Sequence, residues 1–308
     1  MSMRVVTIGN FDGVHRGHAR LIELAREKAS SSGEVIALVF DPHPSAKLRG
    51  SAPPRLSTFP QREGWLRELG VDRVDRLDPT PELLGLSAEG FVEWLVDCFD
   101  PGCVVEGHDF GFGKGRSGDV DTLAALGKAK GFEVVVADEV EVSLPNQVLV
   151  RVSSTLIREM IRLGRVGDAE VLLGRPYEIV GTVEKGDQRG RTIGFPTANV
   201  RTDQLLPGDG VYAGEGELGN GRVFGAAVHV GPRPVFGDER CVLEAYLLDA
   251  DLPIPVSDDQ YGWDIRVRPS RYLRDLGAFD GVQALVEQIG RDVERTREIM
   301  RQETASPA

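Results

Sequence analysis

Two histidines, His15 and His18, flank Arg16 and Gly17 in the run FDGVHRGH, at the point where an apolar stretch gives way to helical spacing. Imidazoles so placed at a helix N-terminus, beside its unpaired N–H groups, can converge on one anion, and phosphate is the anion that suits them. Gly17 brings the backbone close to such a ligand because it has no Cβ. Zinc is a rival, although no Cys or carboxylate stands beside the pair at a recognisable metal spacing. A third reading leaves both rings satisfying loop hydrogen bonds. All five histidines, His15, His18, His43, His108 and His229, fall in segments with Gly, Pro or Asp and not on an apolar helical face, which favours the anion.

Further segments carry polar chemistry. GHDFGFGKGRSG, Gly107 to Gly118, is a glycine-rich loop after a strand; Phe110 and Phe112 can pack on a planar ring, and Asp109 can accept hydrogen bonds from one. It matches neither Walker A nor GxGxxG, and a plain surface loop is the competing reading. In VSSTLIR, Ser153, Ser154 and Thr155 stand just before a helix, where capping explains one hydroxyl but not three with Arg158. GDQRGRTIGFPTAN, Gly186 to Asn199, combines Gly186, Gly190 and Gly194 with two arginines, a composition for wrapping phosphate, against the alternative of a simple turn at Pro196-Thr197. Glu244 lies in CVLEAYLL among apolar and aromatic neighbours. An isolated carboxylate there is costly without a partner or a task, unless the strand is an edge and the carboxylate reaches solvent.

These side chains need elements to hold them. Arg4 to Gly9 reads as a buried strand, and Leu21, Ile22, Ala25 and Ala29 form the apolar stripe of a helix. Val35 to Phe40, Val104 to Val105 and Glu133 to Val136 read as later strands, with helices over Ala88 to Phe99 and Val120 to Lys130. Strands alternating with helices imply an α/β fold with a parallel, doubly wound sheet that binds ligands beyond the carboxyl ends of its strands, where FDGVHRGH falls. After Leu173 the pattern changes. Strand-like runs at Glu178 to Val183, Val211 to Leu218, Val223 to Val230, Cys241 to Leu248 and Asp264 to Val267, separated by Gly- and Pro-rich turns, indicate a compact β-barrel. A helix bearing Val282, Leu285, Val286, Ile289 and Val293 closes it. The boundary is expected near LGRPY, giving domains 1–173 and 174–308, and Glu303 to Ala308 is expected to fray.

The chain's 308 residues suffice for two domains. With 48 acidic against 36 basic residues its formal charge is −12, which disfavours nucleic acid and anionic membrane as partners. No run approaches the roughly 18 apolar residues of a membrane span. Cys98, Cys103 and Cys241 form no C-x-x-C pair and are too few for a disulfide framework, so a cytoplasmic location is expected.

GNFDGVHRGH, FDPHP, GHDFGFGKGRSG and VSSTLIR, in that order, resemble the FMN adenylyltransferase module of the bacterial bifunctional riboflavin kinase/FAD synthetases, and GDQRGRTIGFPTAN resembles their riboflavin kinase signature. The resemblance extends over essentially the whole chain. It implies an N-terminal Rossmann-like nucleotidylyltransferase domain followed by a C-terminal riboflavin kinase barrel. Such an enzyme phosphorylates riboflavin with ATP to FMN, then adenylylates FMN with ATP to FAD and pyrophosphate. By the same resemblance His15 and His18 stabilise the α-phosphate of ATP under in-line attack, by positioning and charge without a covalent intermediate. Gly9, Asn10, Phe11 and Gly17 belong to that ATP site, Ser153, Ser154, Thr155 and Arg158 hold the leaving phosphates, and Asp109, Phe110 and Phe112 lie near nucleotide or flavin. In the kinase module the resemblance assigns ATP to Gly186, Arg191 and Gly194, and Mg²⁺ with the ATP phosphates to Thr197 and Asn199. It makes Glu244 the general base toward the terminal ribityl hydroxyl and puts Arg274 near flavin or nucleotide, a surface ion pair being the alternative for Arg274.

The chain departs from the family pattern at Gly111 and Leu156, each usually Arg, and at His229, usually Asn, Val235, usually Thr, and Leu276, an expected Glu. A Pro-rich insertion runs from Pro253 to Asp259. Lys114, Arg116, Arg151 and Arg158 are cations able to compensate for the first two. These departures motivate two other readings, a single-activity paralogue and a non-catalytic flavin or nucleotide sensor. Retention of His15, His18, Thr197, Asn199 and Glu244 together argues against the sensor, which needs affinity but no base.

Overall fold

The computed structural model describes residues 3–186, 189–233, 238–250 and 261–305. It divides into two compact units, Met1–Ser154 and Thr155–Ala308. Val235 and the insertion from Pro253 to Asp259 lie outside the described residues.

The first unit is built on five parallel strands, β1 (Arg4–Gly9), β2 (Glu34–Phe40), β3 (Arg73–Leu77), β4 (Cys103–Gly107) and β5 (Glu133–Ala137), in the order β3-β2-β1-β4-β5. Helices α1 (Arg16–Ala29), α2 (Pro44–Arg49), α3 (Phe59–Glu68), α4 (Pro81–Leu84), α5 (Ala88–Phe99) and α6 (Val120–Lys130) connect them, and a hairpin of β6 (Glu141–Ser143) and β7 (Leu149–Arg151) follows. Strand alternation sorts the core into two layers. Val5, Val35, Ala37, Val39 and Val105 pack against Leu21, Ile22 and Ala25 of α1 on one face of the sheet. Val6, Ile8, Ile36, Leu38 and Val104 meet Phe91, Val92 and Leu95 of α5 and Leu123 of α6 on the other. Each such fully buried aliphatic contributes about 1.5–3 kcal/mol. The strand order reverses between β1 and β4, and this switch point is where a doubly wound sheet opens a ligand crevice. The expected strands and helices all form. β3 is an addition: RVDRL has three charged residues in five and lies at the sheet edge, a pattern too polar to stand out.

The second unit begins with α7 (Ser154–Arg162, whose first residue closes the first unit) and α8 (Val166–Leu173), the latter packed on the last barrel strand. Strands β8 (Ile179–Glu184), β9 (Ala198–Arg201), β10 (Gly210–Leu218), β11 (Val223–Arg233), β12 (Asp238–Leu247) and β13 (Asp264–Arg274) form a closed barrel in the order β10-β11-β12-β9-β8-β13. A short helix α9 (Arg189–Thr192) precedes β9, and α10 (Val282–Ala305) comes last. Val228, Val230, Leu243, Ala245, Ile265 and Val267 are all buried at 1% exposure or less and fill the interior, as a small barrel requires. Every expected strand and the closing helix are present. Two differences stand out: β9 starts inside the PTAN run, and α10 continues through Glu303, where fraying was expected.

Candidate active sites

The first cluster grows from the carboxyl end of β1. Phe11, Gly13 and Val14 have φ of 48°, 84° and 39°, left-handed values that cost a non-glycine residue about 1–3 kcal/mol each unless the surroundings enforce them. The enforcement comes from Asp12, 6% exposed, whose carboxylate accepts hydrogen bonds from Leu56 N, Ser57 N and Ser57 Oγ, each at 3.0 Å. Gly13 N donates to Ser57 Oγ at 2.8 Å, and Ser154 Oγ donates to the Asp12 carbonyl at 2.8 Å. One of the three hydroxyls of VSSTLIR therefore ties down this loop. Sequence reasoning passed over Asp12 and Ser57; they lie 45 residues apart, so no local pattern joins them.

His15 caps α1 reciprocally with His18. His18 N donates to His15 Nδ1 at 3.4 Å and His15 N donates to His18 Nδ1 at 3.2 Å, a capping box built from two imidazoles. Because each Nδ1 accepts, each neutral ring carries its proton on Nε2. The rings stack at the helix N-terminus with centroids 3.7 Å apart and 13° between planes. A Cβ on Gly17 would sit 3.2 Å from His15 Cε1 and Nδ1, so its absence also seats the imidazole. Phe11 has its side chain in the core. Its ring is 2% exposed and lies 5.1 Å from that of His18, so it can offer a ligand only its backbone. Gly9 carries no side chain because a Cβ would press on the Phe11 ring at 3.3 Å, and Asn10 Oδ1 is buried with no hydrogen-bond partner.

The glycine-rich loop supplies one aromatic face, not two. Phe112 is 5% exposed and packs on Phe91 at 5.3 Å in the core, which removes it as a platform for a planar ligand. Half-buried Phe110 stacks on it at 5.6 Å and 18°. Exposed Asp109 pairs with Arg151 at 3.3 Å. At Gly111 a Cβ would fall 2.5 Å from Arg116 Nε: the Arg116 guanidinium fills the space a side chain at 111 would take, and donates to the Asp109 carbonyl at 2.7 Å. A cation thus stands beside position 111 although residue 111 is glycine. Ser153 is half-buried, Thr155 exposed and Arg158 8% exposed on α7, whose half-buried face also carries Leu156.

The second cluster lies on the barrel. The register aligns Arg274 with Val211, Val211 with His229, His229 with Glu244, Glu244 with Asn199 and Asn199 with Glu184, one row across six strands. On β12, Leu243, Ala245 and Leu247 face the interior, so alternation turns Glu244 and Tyr246 to the outer face. β12 lies between β11 and β9, which excludes the edge-strand alternative. Thr197 Oγ1 is 3.5 Å from Glu244 Oε2, and Phe195 meets Tyr246 edge-on at 5.4 Å. Gly186 lies against Asn199 of this row, and α9 with Phe195 follows. A Cβ on Gly186 would be 2.2 Å from Asn199 Nδ2, and one on Gly190 would be 2.2 Å from the Phe195 carbonyl. Gly194 has φ of 87°, and Arg191 is half-buried on α9. Burial lowers the His229 pKa below the usual imidazole value; Glu244 and Asp209 oppose that shift and Arg274 adds to it. Arg274 itself makes a fork with Asp292 of α10 at 2.7–3.1 Å, and its guanidinium lies 5.8 Å from the Phe279 ring. Asp292 is the partner the sequence did not reveal. Leu276 packs its Cδ1 2.3 Å from where a Cβ on Gly231 would be. Among the described residues no group of three His, Cys, Asp or Glu side chains is arranged to hold a metal, so a cation here would rest on mixed hydroxyl, amide and carboxylate oxygens.

Two family models divide the chain between them: FAD synthetase matches residues 1–155 and riboflavin kinase residues 173–300. The bifunctional riboflavin kinase/FMN adenylyltransferase of Listeria monocytogenes is 34% identical over 96% of this chain and 91% of its own length. That of Escherichia coli K12 is 37% identical over 96% and 92%. The chain belongs to this family. A crystal structure named as a macrolide-efflux protein from Streptococcus pneumoniae matches with a TM-score of 0.84 at 30% identity, covering 96% of this chain and 94% of that one. Among bifunctional riboflavin kinase/FMN adenylyltransferases two activities share one chain. This member has one side-chain cluster on the parallel sheet and another on the barrel.

Proposed function

We infer that this chain converts riboflavin and ATP to FMN and ADP with residues 174–308, and FMN and ATP to FAD and pyrophosphate with residues 1–173. The observation that carries the first step is the convergence of Thr197, Asn199 and Glu244 on one outer face of the barrel, with Gly186 against Asn199. Glu244 takes the proton of the terminal ribityl hydroxyl as that oxygen attacks the γ-phosphorus and ADP leaves. Thr197 and Asn199, with Gly186, Arg191 and Gly194, hold the nucleotide phosphates. A hydroxyl, an amide carbonyl and a carboxylate are oxygen donors of the kind Mg²⁺ takes, and Mg²⁺ bound there supplies screening of the phosphate charge. Arg274, forked on Asp292, shapes the end of the row nearest the flavin instead of binding it through free donors.

For the second step the stacked pair carries the reading. The Nε2–H groups of His15 and His18 meet the α-phosphate oxygens as the FMN phosphate attacks and pyrophosphate leaves, with α1's N-terminal N–H groups adding to the same field. Ser153, Thr155 and Arg158 take the leaving phosphates, Phe110 and Asp109 lie toward the nucleotide or flavin, and Ser154 acts through Asp12. ATP and FMN as substrates, together with the free thiols of Cys98 and Cys103, suit the cytoplasm. No helix among the described residues is long and apolar enough to cross a membrane.

Purified protein incubated with riboflavin, ATP and Mg²⁺, with flavins separated by chromatography, should yield FMN and then FAD. FMN alone, or FAD only from supplied FMN, would select the single-activity paralogue. No product from either flavin would leave a sensor.

A further inference from the structure

Glu106 is a buried acid that neither reaction uses. β1 pairs with β2 along its whole length, from Arg4 with Glu34 to Gly9 with Val39, and β4 pairs with β5 from Cys103 with Glu133 to Gly107 with Ala137. Between β1 and β4 the register covers only Val5 with Cys103 and Val6 with Val104. Beyond that the Ile8 N–H is taken by a side chain: it donates to Glu106 Oε1 at 2.6 Å. Glu106 is 3% exposed. The fully buried Thr7 hydroxyl faces the same carboxyl without reaching hydrogen-bond geometry, and Asn10 Oδ1, two residues past Ile8, is buried without a partner. The two strands therefore part at the switch point, and a carboxyl stands in the gap.

We propose that Glu106 is a positioning residue for adenylyl transfer, seated between the carboxyl ends of β1 and β4 so that they stay apart and the backbone from Ile8 to Asn10 is held at the rim of the ATP crevice. This rests on the assignment of adenylyl transfer to residues 1–173. Burial raises the Glu106 pKa well above the carboxylate range; the Ile8 N–H and the Thr7 hydroxyl oppose the shift, and Asp109 from the following loop adds to it. The shift favours the protonated form, which lessens the negative charge set beneath a polyphosphate. An apolar side chain at 106 leaves the Ile8 N–H without its acceptor and lets the strand ends close.

The test uses the intact chain and measures kcat and KM for ATP in FAD formation from supplied FMN, with riboflavin phosphorylation by the same preparation as the control. Glu106→Leu should raise the KM for ATP about tenfold, with kcat less affected and phosphorylation unchanged. Glu106→Gln, which keeps an uncharged acceptor for Ile8 N–H, should rescue most of that loss. Wild-type FAD formation should fall as pH rises and Glu106 ionises, and the Gln variant should lack that limb. A Leu variant with the wild-type KM, or a Gln variant that keeps the same pH limb as wild type, overturns the proposal. If the Leu variant fails to fold, the comparison of pH profiles between Gln and wild type decides. Failure of the underlying assignment reads differently, as FAD formation that survives His15→Ala.

Discussion

Gly186→Ala tests the kinase site through a single added methyl group. The new Cβ would fall 2.2 Å from Asn199 Nδ2, 2.4 Å from its Cγ and 2.5 Å from its Oδ1, where ordinary contact begins at 3.4 Å, so the amide must retreat by about 1 Å. What moves is the end of a side chain, and Gly186 does not have a left-handed φ. Alanine is therefore tolerated by the backbone and even gains about 0.4–1 kcal/mol by restricting the unfolded chain. Thermal unfolding should show no loss of stability. Displacing a group that holds reacting phosphates by about 1 Å costs about 10²-fold in rate, or about 2.7 kcal/mol. The assay is FMN formation from riboflavin, with FAD formation from supplied FMN as the control in the same tube. Asn199→Ala should give a loss of the same size, and the double variant should add nothing to it, since both changes act through one amide. A Gly186→Ala enzyme that phosphorylates riboflavin within threefold of wild type, or losses that multiply in the double variant, would refute the placement of Asn199 in the phosphate site.

His15→Ala and His18→Ala should each lower FAD formation from FMN by about 10²–10³-fold, with riboflavin phosphorylation intact when product is followed by chromatography. Glu244→Gln should do the converse, lowering FMN formation by about 10²–10⁴-fold while FAD formation from supplied FMN continues. Asp292→Ala removes the partner of the partly buried Arg274 and should destabilise the barrel by about 3 kcal/mol, measured by chemical denaturation. The lowered pKa of His229 means that the unfolded chain takes up this proton first as pH falls. The contribution is whole above the unfolded value of 6.5 and is lost progressively below it, so His229→Asn should flatten that acid slope in a series of unfolding curves.

What the sequence made legible follows from the range of the forces involved. Periodicity reports burial over a few residues, which is why Arg4 to Gly9, α1 and the barrel strands stood out, and why the charged edge strand β3 did not. The His15–His18 pair was visible because a capping box is local; its stacking and tautomers were not, since they depend on backbone N–H directions. Phe110 and Phe112 looked equivalent in sequence. The path of the loop put Phe112 against Phe91 in the core and left Phe110 half-buried. Arg274 could be singled out but not interpreted without Asp292, which is 18 residues away on another element. The glycines carry a meaning the sequence did not show: Gly17, Gly111 and Gly186 each leave room for a side chain, that of His15, Arg116 and Asn199 in turn.

A chain of charge −12 that handles ATP and FMN has to keep its own carboxylates from opposing theirs. Beside the first cluster this is done by burial and pairing. Asp12 is 6% exposed and its oxygens are taken by Leu56 and Ser57. Asp41 is 7% exposed and faces Arg62 at 2.6 Å, Arg55 at 3.8 Å and Arg76. Arg62 in turn donates to the carbonyls of Asn10 at 2.7 Å and Phe40 at 3.0 Å, so the same pairing that neutralises Asp41 ties together the chain leaving β1 and the end of β2. Charges elsewhere on the surface are screened over a Debye length of about 8 Å at physiological salt. The field at the His15–His18 pair is therefore set by groups within a few ångströms: two Nε2–H donors, a helix N-terminus and acids already satisfied from within. Net charge governs which macromolecules are repelled, and it has little hold on a phosphate seated against these donors.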